Sequence, residues 1–476
     1  MTDSSTSAAL ASTEATFYQV NPRARWFVLV SICITLFIVP MSMSGVNMAL
    51  PAIADALQAD AVWLSWIPTA TLWGSIVLLL PAGRVADTVG RKPIFLLGVI
   101  GFSLASLLVF VVQSVEVLLL VRVLQGLFSS LVFATAMAII ATVFSDSNRG
   151  SALGFTATSV YLGLTCGPLI GGWLTEHLGW QSVFWGPVLL ALIAIVLAVI
   201  YIRNDGQSGQ PAQPLDWIGS LIFVAIATLL LFGLSGLPNL YNILMLLAGI
   251  ALVFVFVRYQ NRCAYPLVRF SLLASNRVMS RSLMASFLMY AAHYPVLFLL
   301  SLYLQYLQGL SPSEAGQMIL LQAFIMAILA PIAGRLSDRY EPRLIATIGC
   351  LFFSSGFAVL VFLESDSPLN LVIIALSLLG VGFGLFSTPN NNAALGSVPK
   401  DRLSIASALL NLSRTSGNMF SMAVIMLLMS QLLHSEQIRP ERYPDLLLVV
   451  KLGFASACAY SFVAAWFSYS RGKVTR

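Results

Sequence analysis

The stretch Gly83 to Lys92 reads GRVADTVGRK, and a long apolar run lies on each side of it. Arg84, Asp87, Arg91 and Lys92 crowd into it. Charge that dense in an apolar chain fits the water-facing turn between two membrane helices. The turn is expected to need glycine at both ends, Gly83 and Gly90, because a missing Cβ permits conformations closed to other residues.

The chain around it has the composition that such a turn requires. It has 476 residues, 58% hydrophobic and 9% charged, with mean hydropathy +0.89. A soluble domain carries about a quarter charged residues, so this is an integral protein of a lipid bilayer. Its net charge of +6 gives no reason to expect a nucleic-acid partner, because loops on one side of a membrane collect Lys and Arg. Cys33, Cys166, Cys350 and Cys458 fall in apolar runs and Cys263 in a basic loop, so no structural disulfide is expected. No Cys/His cluster has metal-ligand spacing, and no GxxxxGK[ST] loop is present to cradle phosphate. The sequence predicts neither an enzyme, nor a cofactor, nor a metal site. The polar, Ser/Thr/Ala-rich first stretch lacks the apolar core of a signal peptide and reads as a disordered tail.

A membrane helix takes about 20 apolar residues. That length predicts about fourteen spans, near 26–49, 62–83, 94–113, 117–142, 152–174, 183–202, 216–236, 241–257, 280–305, 315–333, 344–363, 369–389, 404–431 and 446–469. The seventh and eighth are joined by little more than Pro238-Asn239 and are hard to tell from one bent span. An even number puts both termini on one side. About 20 of the Lys and Arg then fall on that side, against Arg439, Arg442 and Lys451 opposite, which makes the termini cytoplasmic. GRLSDRYEPR at 334–343 echoes the opening stretch. The echo divides the chain into a tail 1–25, a six-helix bundle 26–203, a linker 204–279 with two added spans, a second six-helix bundle 280–470 and a tail 471–476. Repeated halves around a central site are a common build of secondary transporters.

Three further motifs join the repeat. Span five carries Gly154, Gly163, Gly167, Pro168, Gly171 and Gly172; Gly163, Gly167 and Gly171 share one helix face, whereas Gly154 and Gly172 lie opposite. Span four carries Arg122, Gln125 and Gly126, and span one ends in Asn47-Met-Ala-Leu-Pro51. With these motifs the chain resembles a major facilitator superfamily transporter of the fourteen-helix drug:proton antiporter branch. The resemblance implies an all-α polytopic membrane protein with the major facilitator fold, two six-helix bundles and two inserted central helices. It implies a cytoplasmic latch from Gly83, Asp87, Gly90, Arg91, Lys92, Asp338 and Arg339, and an antiporter motif whose packing seals one conformation. It also implies that spans one, four, nine and twelve line the cavity. Ser42 stands where that family carries an intramembrane aspartate.

All nineteen acidic residues fall in the tail, loops or span ends. The interior offers bases and amides instead. Span thirteen carries Ser404, Ser407, Asn411, Arg414, Asn418 and Ser421 as one polar stripe, which reads either as a cavity wall or as a buried packing face. Span nine carries Ser286, Tyr290 and His293; the histidine reads as a proton site or as a neutral ring satisfied by a neighbour. Arg122 reads as an interior group or as one snorkelling to the interface. Asn390, Asn391 and Asn392 line the inner mouth or cap span twelve. The cavity candidates are thus Ser42, Asn47, Arg122, Gln125, Tyr290, His293, Asn390, Asn411 and Arg414.

These readings converge on a monomeric, multi-pass secondary transporter of the cell membrane. It would work by alternating access, exporting amphipathic or hydrophobic organic small molecules in exchange for protons. The alternatives are an anionic or neutral metabolite or lipid as cargo without carboxylate-based coupling, and a non-transporting sensor or scaffold on the same fold.

Overall fold

The structure, a computed structural model, describes residues 18, 21–144, 146–203, 216–264, 266–267, 270, 276–398, 403–434 and 436–472. The side chains of Asp87 and Asp338, two of the latch candidates, lie outside the described residues, as do most of both expected tails.

Fourteen helices among the described residues are long and apolar enough to cross a membrane. The first six are α1 (Pro22–Leu57), α2 (Ala61–Val89), α3 (Arg91–Leu107), α4 (Val115–Val143), α5 (Asp146–Leu178) and α6 (Ser182–Tyr201). Two more, α7 (Trp217–Ser235) and α8 (Leu240–Gln260), precede α9 (Arg277–Leu302), α10 (Pro312–Arg339) and α11 (Pro342–Val361). The last three are α12 (Leu369–Gly396), α13 (Leu403–Leu432) and α14 (Tyr443–Ser470).

Short polar side chains set where several of these helices begin, by accepting from backbone N–H groups that the first turn leaves free. Asp60 accepts from Trp63 N at 2.8 Å to open α2. Ser311 and Glu314 form a reciprocal capping box at the start of α10. Asn239 accepts from Tyr241 N at 3.1 Å, so α7 and α8 are two helices joined by a turn and not one bent span. Asp216 opens α7 and also accepts from Tyr259 and Gln260 at the end of α8, which ties the inserted pair into one hairpin.

The helix surfaces left outside are apolar. Leu189, Ile193, Val196 and Ile200 on α6 and Leu240, Leu244, Leu247 and Phe254 on α8 are exposed. Every described backbone element of these spans is helical, so lipid meets side chains and few free polar groups.

Helices α1 to α6 pack among themselves, and so do α9 to α14. The inserted α7 touches both sets, resting on α2 and on α13. There Trp73 Nε1 donates to Thr228 Oγ1 at 3.0 Å, and Gln431 Nε2 donates to the Leu237 carbonyl oxygen.

The two halves meet unequally along their length. We call the end with Pro22 and Ser470 the terminal end and the other the far end. One apolar cluster crosses between the halves, joining Ile53, Ala61 and Leu64 to Leu300, Tyr303 and Leu446 near the far end. At the terminal end the clusters stay within their own halves: Val28, Phe95 and Ile140 belong to one, Met279, Ala394 and Leu410 to another. The molecule is closed at the far end and parted at the terminal end.

The opening turn differs from expectation. Gly90 alone breaks the chain between α2 and α3, with φ of 109°, a value that L side chains rarely adopt. Gly83 lies inside α2, and a Cβ there would meet nothing within 4 Å. Arg91 donates to the Ala138 carbonyl at 3.3 Å and Lys92 to the Val199 carbonyl at 2.8 Å, both within the first half. Lys92 thereby satisfies a carbonyl in the last turn of α6, where a cation suits the helix dipole. At the echo, α10 gives way to α11 through extended Tyr340 and Glu341, and Arg339 is exposed.

The last helix also departs from expectation. Arg471, placed in the tail by sequence, is fully buried and donates to Ser282 Oγ and Asn390 Oδ1.

Candidate functional site

Helix α5 has two working faces. On one, a Cβ at Gly163 would lie 2.3 Å from the Phe37 carbonyl oxygen of α1. A Cβ at Gly167 would lie 2.8 Å from the Met41 oxygen, and one at Gly171 would lie 2.6 Å from the Gly45 Cα. No side chain fits, so α5 and α1 touch backbone to backbone. The other face repeats every seven residues and turns to the second half. Gly154 sits at the parted terminal end with nothing within 4 Å. Tyr161 follows, its hydroxyl 3.4 Å from Ser387 Oγ of α12. Pro168 comes next, its carbonyl 2.3 Å from where a Cβ of Gly316 would stand. Gly172 lies nearby, where a Cβ would meet the Pro312 oxygen at 2.2 Å. The two glycines on the opposite face therefore mark the two ends of one seam.

Hydrogen bonds complete the far-end closure. Ser301 Oγ donates to the Asn47 carbonyl, and Gln305 Nε2 to the Met48 carbonyl at 3.2 Å. Ser313 N donates to Glu176 Oε2 at 3.1 Å, and Ala61 N to the Glu436 carbonyl at 3.0 Å. Asn47 takes part through its backbone; its side-chain nitrogen points back to the Ser44 and Met43 carbonyls.

At mid-depth, side chains from both halves gather beside this seam. Tyr161 comes from α5, Tyr290 and His293 from α9, Ser387 and Asn391 from α12, and Arg414 and Asn418 from α13. The Arg414 guanidinium lies 5.2 Å from the centre of the Tyr290 ring, a cation–π approach, and one terminal nitrogen donates to Asn391 Oδ1. Its Nε is buried with no hydrogen-bond partner, as is Asn418 Oδ1. Tyr290 packs edge-on against Phe383 at 5.2 Å. His293 lies tilted against Phe383 at 4.3 Å and stacked on Phe353 at 6.0 Å, and is half-buried. Among the described residues its neighbours are aromatic rings, and no hydrogen-bonding partner of the kind that sequence allowed for is found. On α13 the polar stripe runs from exposed Ser407 and Asn411 at the open end to buried Ser421; the side chain of Ser404 lies outside the described residues.

The three asparagines neither end nor cap α12, which continues to Gly396. Each reaches a different helix. Asn390 donates to Ser282 O and Ser286 Oγ of α9, Asn391 accepts from Arg414 of α13, and Asn392 donates to Ser337 Oγ of α10. An amide can donate and accept at once, which suits such cross-links.

Arg122 does not snorkel. It is 1% exposed and donates through Nε to the Ile67 carbonyl of α2 at 3.2 Å and through Nη1 to Gln125 Oε1 at 2.8 Å. Gln125 passes the chain on to Ser106 of α3 at 2.8 Å, and Phe184 of α6 lies 5.8 Å from the guanidinium. One arginine thus gathers α2, α3, α4 and α6, and hydrogen bonds satisfy it without a carboxylate. Gly126 beside it lets α2 close in, since a Cβ there would sit 2.2 Å from the Thr71 oxygen. Ser42 is buried, and its hydroxyl finds no partner.

The latch residues share the open terminal end with Gly154, whereas Gly171 and Gly172 lie toward the closed far end. Tyr161 and Ser387 are the residues of the central cluster that sequence reasoning did not single out; Asn391 and Asn418 it named only at the inner mouth and in the polar stripe. Tyr161 had a usable signal, since it shares a helix face with Gly154 and Gly172.

Comparison with known proteins agrees with this architecture. A profile of the Major Facilitator Superfamily matches residues 32–422. The riboflavin transporter RibZ of Clostridioides difficile (strain 630) is 31% identical over 409 residues, covering 84% of this chain and 88% of the relative. The tetracenomycin C resistance and export protein of Streptomyces glaucescens is 27% identical over 410 residues, covering 85% and 76%. Among solved structures, a bacterial homolog of the human lysosomal transporter Spinster, inward-facing and unoccupied, superposes with a TM-score of 0.66 at 15% identity. It covers 94% of this chain and 97% of that one. Fourteen apolar helices, halves that part at one end, and a profile match over most of the sequence place this chain in the major facilitator superfamily.

Proposed function

We propose that this chain is a secondary active exporter of amphipathic organic small molecules, driven by proton antiport through alternating access. The single observation that carries the reading is the seam: sealed by Gly172 against Pro312 at the far end, open at Gly154, with a polar and aromatic cluster between. A site reachable from one side only is what alternating access needs at each stage. With both termini cytoplasmic, an orientation that the charge asymmetry supports, this is the state that loads from the cytoplasm. The two bundles rock about the central cluster, and Gly83–Lys92 with Gly334–Arg343 close the cytoplasmic end in the other state. Relatives whose names record drug resistance and export support an outward direction. The riboflavin transporter extends the range to a vitamin with a planar aromatic ring.

His293 is the proton-coupling group in this reading. A membrane interior with no carboxylate leaves it as the side chain whose ordinary titration lies near neutral pH. Proteoliposomes with an imposed pH gradient, offered cationic, neutral and anionic aromatic compounds, test the reading. Movement of at least one class is expected, with His293→Ala losing gradient-driven uptake while substrate binding survives. Gradient-driven uptake undiminished in the variant would remove the histidine from the coupling role. Ser42→Asp restores the carboxylate of the resembled family and is expected to improve export of cationic dyes at equal expression.

A further inference from the structure

Arg414 is a charged group that the protein leaves incompletely answered. Its only described hydrogen bond goes to a neutral amide, Asn391, and its Nε is buried without a partner. A guanidinium keeps its charge across the physiological range and presents its donors as a flat fork that matches carboxylate and phosphate oxygens. Arg122 is different in kind, since hydrogen bonds to Ile67 and Gln125 occupy it and it lies within one bundle. Nothing anionic from the chain is available to Arg414 at that depth, because every acidic residue falls in a tail, a loop or a helix end. The surroundings are aromatic: Tyr290 under the guanidinium, Phe383 against Tyr290, and Tyr161 reaching across from the other half. The stripe below it, through Asn411, opens to the terminal end, so a solute can arrive.

We infer that the cargo is an aromatic organic anion, with Arg414 as the receptor for its negative charge and Tyr290 and Tyr161 as the walls for its ring. The inference rests on the transport reading of the same cavity, and it names the charge that reading leaves open. Loading then does two things at once. It supplies the oxygen acceptor that Arg414 Nε lacks, and it places an apolar ring between the halves, where both must adjust to it. Cationic compounds meet a like charge at the same point and are disfavoured.

Equilibrium binding to the purified full-length protein in detergent tests this separately from transport. The probes are fluorescein, an anionic xanthene, and a rhodamine ester with the same ring system and a positive charge, each followed by fluorescence anisotropy. Fluorescein is expected to bind about tenfold tighter or better, and Arg414→Gln to remove that preference. Asn391→Asp leaves the arginine in place but hands it an internal carboxylate, and is expected to weaken fluorescein by about tenfold as well. This second variant covers the case in which Arg414→Gln fails to fold. Rhodamine binding as tightly as fluorescein to the wild type, or fluorescein affinity unchanged in both variants, overturns the inference. Selective fluorescein binding without movement across a liposome membrane would support the site and sink the transport reading instead.

Discussion

Helices α5 and α13 hold equivalent places in the two halves, and their glycines show it. Gly163 of α5 lies against the Phe37 carbonyl of α1, and Gly417 of α13 against the Phe287 carbonyl of α9; a Cβ at either would stand 2.3 Å from that oxygen. Beyond this shared contact they diverge. Helix α5 continues with Gly167 and Gly171, which zip it to α1, and turns Gly154, Tyr161, Pro168 and Gly172 toward the other half. Helix α13 has no further glycine and carries Arg414 and Asn418. The same position in the repeat thus became a seam in one half and a polar surface in the other. A twofold repeat lets one copy specialise in movement while its counterpart specialises in recognition.

The comparison can be broken most directly at Gly172. Gly172→Val drives a side chain into the Pro312 backbone and is expected to abolish transport while dye binding persists. Cysteine labelling at the far end should rise, because that end can no longer shut; wild-type transport rates in the variant would show that the seal lies elsewhere. Gly154→Val makes the opposite test. Open space surrounds Gly154 here, so the variant should fold and bind normally but cycle slowly, with far-end labelling below that of wild type. A labelling increase would mean that the two ends of α5 are not opposed.

The shared contact gives a milder prediction. Gly163→Ala and Gly417→Ala should each lower stability by about 1–3 kcal/mol, read as matched drops in melting temperature in detergent. A large drop in only one would show that the two bundles do not depend equally on this crossing. The smallest effect belongs to the far-end loop. Arg442 donates to Glu436 at 2.7 Å and holds its carboxyl below the usual carboxylate range. A depressed folded value makes the contribution present above the ordinary carboxylate range and lost as pH falls through the depressed one. Glu436→Gln should therefore lower thermal stability slightly at neutral pH and erase the acid-side loss, so that variant and wild type converge as pH falls. The pair is exposed, so salt should blunt the effect further.

Much of this molecule was legible in its sequence, and the reason is the solvent. Lipid demands about 20 apolar residues per crossing, so the span count followed from run lengths, and α7 and α8 proved separate because Asn239 caps the second. The face shared by Gly163, Gly167 and Gly171 was readable from spacing alone. What a residue touches on another helix was not. Gly172 needed Pro312, which lies far along the chain, to explain it. The asparagines after Pro389 read as a helix end because proline and amides usually mark one, yet tertiary partners in three helices kept α12 intact. Gly83 read as a turn residue by the same local logic, although α2 runs through it. Arg122 read as either an interior or a snorkelling group, and the choice turns on the Ile67 carbonyl and Gln125, which depend on how closely Gly126 admits α2. The partners of Arg414 were beyond reach for the same reason, since Tyr290 and Asn391 come from two other helices.

The glycine contacts at the far end have an evolutionary corollary. That gate is built from main chain, with Pro312 and Pro168 offering carbonyls to positions where even a methyl group is too large. Main-chain atoms are the same in every protein, so such a gate places no demand on cargo chemistry. Under the cargo site proposed above, substitutions at Tyr290, Asn391 or Arg414 retune what is carried without touching how the door shuts. A lineage that keeps these few glycines is free to diversify everything between them.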